Sequence, residues 1–115
     1  MKKLIGFTLF ALFLLFTFPC HAEDITFAWD ASPDPVDGYR LYYSKQSGVY
    51  EYGPSSPNML WEGTGLTATV TVTKCGKHYF VATAYCLDDN AVEFESGPSN
   101  EESHVVKPHV NNLRK

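Results

Sequence analysis

Positive charge is scarce in this chain: nine Lys and Arg stand against thirteen Asp and Glu in 115 residues, a net charge of −4. Phosphate recognition runs on cationic side chains, so nucleic acid and anionic membrane surfaces are excluded as partners. The motifs of catalysis are missing too. There is no HxxxH, no CxxC and no Gly-x-Ser-x-Gly elbow. His78, His104 and His109 are scattered, and Cys75 with His78 supplies two ligands where a closed soft-metal site needs four. No nucleophile, base and orienting acid can be named together, so the chain reads as a non-enzyme without cofactor or metal. Repeats, low-complexity blocks, heptads and a helical period are also absent beyond the first 22 residues, which leaves an all-β chain.

The first segment has the layout of a secretory signal peptide. Lys2 and Lys3 precede an apolar run from Leu4 to Phe18, followed by Pro19, Cys20, His21 and Ala22. Cleavage after Ala22 meets the small-residue rule and predicts a secreted or periplasmic chain that starts at Glu23. Lipid attachment at Cys20 is the weaker reading, because Phe18 and Pro19 occupy positions where lipoprotein signals carry small or aliphatic residues. A retained membrane helix would need about 20 apolar residues, more than this run offers. Cleavage removes two of the nine cations and no acid, leaving seven against thirteen and a net charge near −6. The remaining length suits one small domain, residues 23–106, with a flexible tail over 107–115.

Alternation defines the strands. Ile25, Phe27 and Trp29 point one way while Thr26, Ala28 and Asp30 point the other; Tyr39, Leu41 and Tyr43 oppose Arg40, Tyr42 and Ser44. Pro33, Pro35 and Gly38 make the segment between them a loop. A long polar connection from Lys45 to Asn58 leads to a short strand at Met59–Glu62. In Thr67–Thr73, Ala68, Val70 and Val72 face inward and the threonines outward. The strand from His78 to Tyr85 has two possible registers, with Tyr79, Val81, Thr83 and Tyr85 inward or with Phe80, Ala82 and Ala84 inward. A last strand is expected over Asn100–Val106. Extended geometry puts the Cα atoms of Cys75 and Cys86 about 25–30 Å apart, against the roughly 7 Å limit of a disulfide. Two unbridged thiols, or an intermolecular link, are therefore expected.

The run Ile25–Asp30, the segment Gly38–Tyr43, the strand Tyr79–Tyr85 and Glu95-Ser96-Gly97-Pro98-Ser99-Asn100-Glu101 together resemble the fibronectin type III module, in the compact version of exported bacterial proteins. The resemblance spans nearly all of residues 24 to 106. It implies an immunoglobulin-like β-sandwich of a three-strand and a four-strand sheet, with Trp29 the buried tryptophan of strand B and Tyr39 and Leu41 the strand C pattern. The family's Ala-Tyr ending, matched by Ala84-Tyr85, favours the register with Phe80, Ala82 and Ala84 inward. The expected core is thus Phe27, Trp29, Tyr39, Leu41, Val70, Val72, Phe80 and Ala84. Two departures stand out. His78 occupies the position of the family's corner tyrosine, so that hydrogen bond is either lost or made by an imidazole. Strand A is short or missing, because Trp29 lies only seven residues past the expected cleavage point; the smaller sheet then holds two strands.

Such modules serve as spacers, adhesion units or binding surfaces, so the resemblance implies a non-catalytic interaction module with a protein or carbohydrate partner. The alternative is a structural spacer of an envelope assembly with no separate ligand. Candidate contacts are Asp34, Asp37, Asp88 and Asp89 on two loops that this fold makes neighbours, and Tyr50 and Tyr52 in an aromatic group with Tyr42 and Trp61. Core packing has its own claim on Trp61. The unpaired edge of strand B, from Ile25 to Trp29, is a third candidate. It would take a partner's extended segment, a second copy in self-association, or the chain's own Val105–Val110.

Overall fold

The computed structural model describes residues 22–108, 110 and 113–115. Most of the expected leader and part of the tail lie outside that range. The described residues form seven strands: β1 (Glu23–Ala28), β2 (Gly38–Ser44), β3 (Met59–Gly63), β4 (Thr67–Val72), β5 (Gly76–Leu87), β6 (Glu93–Glu95) and β7 (Glu102–Val106). Among the described residues no helix is long and apolar enough to cross a membrane. The strands form two antiparallel sheets that do not close into a barrel. One contains β1 and β4; the other runs β3-β2-β5-β6, with β7 on the same edge of β5. Among the described residues the smaller sheet holds two strands, the number expected for a chain that starts at Glu23.

Apolar side chains on alternate positions meet between the sheets. Leu41, Ala68, Val70, Val72, Phe80 and Val106 make the buried cluster, and Ile25, Phe27, Trp29, Tyr43 and Trp61 pack against it half-buried. Phe27 lies on Phe80 with ring centroids 4.5 Å apart, and Trp29 touches both Tyr39 at 5.9 Å and Trp61 at 5.2 Å. Phe80 faces the core, the register favoured by the Ala84-Tyr85 pair. Ala84 itself is half-buried, because it sits at the open end of the gap between the sheets where no strand of the smaller sheet covers it. Trp61 turns inward against the core, as core packing claimed it.

Local chemistry explains several boundaries. Gly76 opens β5 at φ +115°, a conformation that side chains with a Cβ rarely adopt, so the Lys74–Lys77 connection needs glycine there. Tight packing at Gly38 has a different cause: an added Cβ would stand 2.7 Å from the Tyr85 hydroxyl. β5 is longer than expected and puts Cys75 just before it and Cys86 near its far end. The two are not joined. Cys86 is a free thiol, whereas Cys75 is disulfide-bonded, which corrects the expectation of two unbridged thiols. β6 was not foreseen; Glu93-Phe94-Glu95 has too few residues for a periodic signal.

His78 is buried at the start of β5. Its side chain is 1% exposed, and its Nε2–H donates to the Lys74 carbonyl at 2.7 Å. Because that carbonyl can only accept, Nε2 carries a proton, while Nδ1 has no partner among the described residues. The hydrogen bond at this position is made by the imidazole, one of the two outcomes expected for His78.

Unequal burial of the two inward faces sets unequal costs for truncation. Leu41→Ala is expected to lose about 3 kcal/mol in urea unfolding, and Ile25→Ala about half of that, because Ile25 already keeps part of its surface in water.

Candidate interaction surface

The face of the larger sheet turned away from the core is not a solvated surface. Arg40, Tyr42 and Ser44 are 2%, 0% and 7% exposed, so β2 is buried on both sides. Cross-strand register makes this possible, since Arg40 lies opposite Glu62 on β3 and Thr83 on β5. Its Nε donates to Glu62 at 2.6 Å, its two terminal nitrogens to Glu93 at 2.5 and 3.0 Å, and Nη1 also to Glu95 at 3.1 Å. The Tyr85 ring stacks 4.1 Å from the guanidinium carbon. Glu95 accepts in addition from the hydroxyls of Tyr42 at 2.5 Å and Thr83 at 2.6 Å. The Glu93 hydrogen bond holds Arg40 protonated well above its ordinary range, and Arg40 holds the Glu93 carboxyl below the usual carboxylate range. Four of this guanidinium's five N–H groups are spent on these carboxylates. The cluster is a structural core, and alternation alone had marked its residues as solvent-facing.

The long connection between β2 and β3 folds onto the same face through one carboxylate. Glu101 accepts from Ser47 Oγ at 2.5 Å, Gly48 N at 2.9 Å and Tyr50 Oη at 2.7 Å. These donors lower the Glu101 carboxyl below its usual range, Ser47 most. Burial, then the Glu101 bond, raises the Tyr50 hydroxyl above the ordinary tyrosine range. Tyr50 is thus a tether rather than a free contact. Tyr52 stacks on Tyr50 with centroids 6.0 Å apart and meets Tyr42 edge-on at 5.1 Å, and it is 45% exposed. Of Tyr42, Tyr50 and Tyr52, only Tyr52 is displayed, and Trp61 packs against the core. Tyr42 is sealed beneath the loop, its hydroxyl receiving the Gly53 N–H at 3.0 Å.

The acidic loops do adjoin, as the resemblance implied, but half of their charge is spent holding them together. Asp37 receives the Leu87 N–H at 2.6 Å and sends its own N–H to the Tyr85 carbonyl at 2.8 Å. Asp88 caps its turn by accepting from the N–H groups of Asn90 and Val92, both at 2.8 Å. Asp34 and Asp89 are exposed. Among the described residues no three His, Cys, Asp or Glu side chains converge in a way that would hold a metal.

The remaining candidate is the edge of β1. Among the described residues β1 pairs with β4 alone. Trp29 N–H donates to the Leu66 carbonyl, which continues the register of Phe27 opposite Ala68. Antiparallel strands alternate, so the backbone groups of Ile25 and Phe27 also point to β4, and those of Asp24, Thr26 and Ala28 point to the free edge. Beneath that edge the two sheets gape. Two adjoining cavities, of about 210 and 70 Å³, share Trp29, Ala82 and Ser99; the smaller is floored by Phe27, Leu41 and Phe80. Trp29 Nε1 is buried there without an acceptor among the described residues. One end of the gap is closed by His104 on β7, which bonds Glu23 at 2.5 Å. The facing edge of β5 is already satisfied: Ser96 and Ser99 pair with Ala84 and Ala82 through both main chain and hydroxyl. Among the described residues of the tail none covers β1, since Val105 and Val106 belong to β7 and Val110 is 82% exposed. Sequence alternation located this strand, but not the cavities beside it, which depend on residues 70 positions away.

Comparison with protein-family models, with curated proteins and with solved structures gives no match.

Two outcomes follow from these geometries. Arg40→Ala leaves three glutamates facing one another without a counter-charge and is expected to cost about 3 kcal/mol in chemical denaturation, with Arg40→Met costing less. Glu93 and Glu101 are depressed in the folded state, so their contribution is present above the unfolded carboxylate value of about 4.3 and is lost as pH falls through their lower folded values. Melting temperature should therefore hold steady from neutral pH down to about 5 and fall below about 4, and Glu101→Gln should shrink that acid-side fall.

Proposed function

We propose that this chain is a non-catalytic interaction module of an exporting cell's periplasm or exterior, a compact fibronectin type III-like sandwich that binds a protein by strand addition at β1. The observation that carries the reading is the pairing of two features in one place: a strand whose outer backbone groups meet no strand among the described residues and, directly under it, an incompletely covered apolar gap. Each is a cost to the isolated domain, and a single extended segment laid beside β1 relieves both. The other candidate surfaces support it less. Asp37, Asp88 and Tyr50 are engaged in holding loops, and the single displayed ring of Tyr52 is a small platform for a sugar. His78 and His104 are occupied by Lys74 and Glu23, which favours a binding role over catalysis.

Strand addition is tested by Thr26→Pro. Thr26 directs its N–H to the free edge, so proline there removes an edge donor and no backbone bond to β4, only the exposed Thr26 Oγ1–Thr69 Oγ1 bond at 2.8 Å, and the domain is expected to fold. Capture of partners from envelope extract should fall at least about tenfold, whereas Asp34→Asn with Asp89→Asn should leave it within about twofold. The reverse pattern would place the contact on the loops.

A further inference from the structure

We infer, resting on the strand-addition reading, that the segment accepted at β1 is a basic, alternating heptapeptide from another protein, of the form cation–apolar–x–apolar–x–apolar–cation. Charge and register together specify it. All thirteen acidic residues fall between Glu23 and Glu102, whereas only Arg40, Lys45, Lys74 and Lys77 are cationic in that span, and Arg40 is consumed by its three glutamates. Around the gap the imbalance is complete among the described residues: Asp30 and Glu102 line its cavities, and no Lys or Arg does.

Register then sets the spacing. Asp24 and Asp30 bracket the free edge, six residues and about 20 Å apart in extended chain, and Asp24 also accepts from the Thr71 hydroxyl of β4 at 2.5 Å through one carboxylate oxygen. Both occupy even positions, which face away from the core along with Thr26 and Ala28, while Ile25, Phe27 and Trp29 face the gap. A paired strand keeps parity, so its residues opposite Ile25, Phe27 and Trp29 must be apolar and those opposite Asp24 and Asp30 cationic. The pattern reads the same in both directions and so does not depend on strand polarity.

Self-pairing is disfavoured by the same charges, because a second copy brings its own Asp24 and Asp30 to the acidic edge. The tail is a poor donor as well. Val110 and Leu113 are three residues apart and fall on opposite faces of an extended strand, and both are more than four-fifths exposed.

The test is calorimetry on the exported protein with four peptide probes: Lys-Val-Thr-Val-Thr-Val-Lys, the same peptide with Glu at both ends, the Lys peptide N-methylated at alternate residues on its pairing edge, and a Lys peptide with the valines moved to adjacent positions. Only the first should bind, with the others weaker by about tenfold or more, and affinity should fall with added salt. Asp24→Asn with Asp30→Asn should remove most of the difference between Lys and Glu termini. Equal binding of those two peptides overturns the basic assignment and leaves strand addition standing. So does concentration-dependent dimerisation in light scattering without peptide binding, which would name a second copy as the occupant. Undiminished binding of the N-methylated peptide would sink both this inference and strand addition itself.

Discussion

A strand can be buried on both faces only if the side chains on the second face satisfy one another, and Arg40 is how β2 meets that condition. Its guanidinium is almost fully withdrawn from water, a position that costs several kcal/mol unless carboxylates of good geometry offset it. Glu62, Glu93 and Glu95 arrive from two different strands, and the Tyr85 ring covers the flat face of the cation. β6 is anchored by this demand. With only three residues it has little pairing of its own, and Glu93 and Glu95 are its two ends. Once β3, β2, β5 and β6 are clamped through one side chain, Leu41 and Phe80 on the opposite face are held in register for the core.

The two sheets differ in how completely they are finished. The larger one has its outer face closed by the Arg40 cluster and by the loop that Glu101 tethers, and its β5 edge closed by the serine hydroxyls of Ser96 and Ser99. In the smaller sheet, β1 has β4 on one side and no strand on the other among the described residues. A domain of this size has little apolar surface to spare. Leaving Ile25, Phe27 and Trp29 half-covered concentrates the unmet stability at one rim, which is where a partner gains most by docking.

Alternation made much of the fold readable. Thr67–Val72 shows it in pure form, apolar and threonine residues taking turns, and its inward set is Ala68, Val70 and Val72 in the structure. The Ile25–Trp29 alternation likewise placed Phe27 against the core. The same rule misread β2, because alternation reports which face differs in polarity and is silent on whether the polar face meets water or other polar groups. Arg40 and Tyr42 look like ordinary exposed residues until Glu62 and Glu95, more than twenty and fifty positions away, are brought beside them. Tyr50 and Asp37 were misjudged for a similar reason: a polar side chain on a loop is equally suited to hold the loop or to meet a partner, and only the position of Glu101 or of the Leu87 N–H decides which.

What the sequence by itself determined is the all-β class and the inward faces of β1, β2 and β4, since these follow from local periodicity. Tertiary structure alone decided that the second face of β2 is sealed, that the buried imidazole of His78 bonds the Lys74 carbonyl, that Cys75 is bonded while Cys86 is free, and that a gap opens beneath β1. Each of these depends on which distant groups come within a few ångströms of one another, and a linear pattern carries no record of that distance.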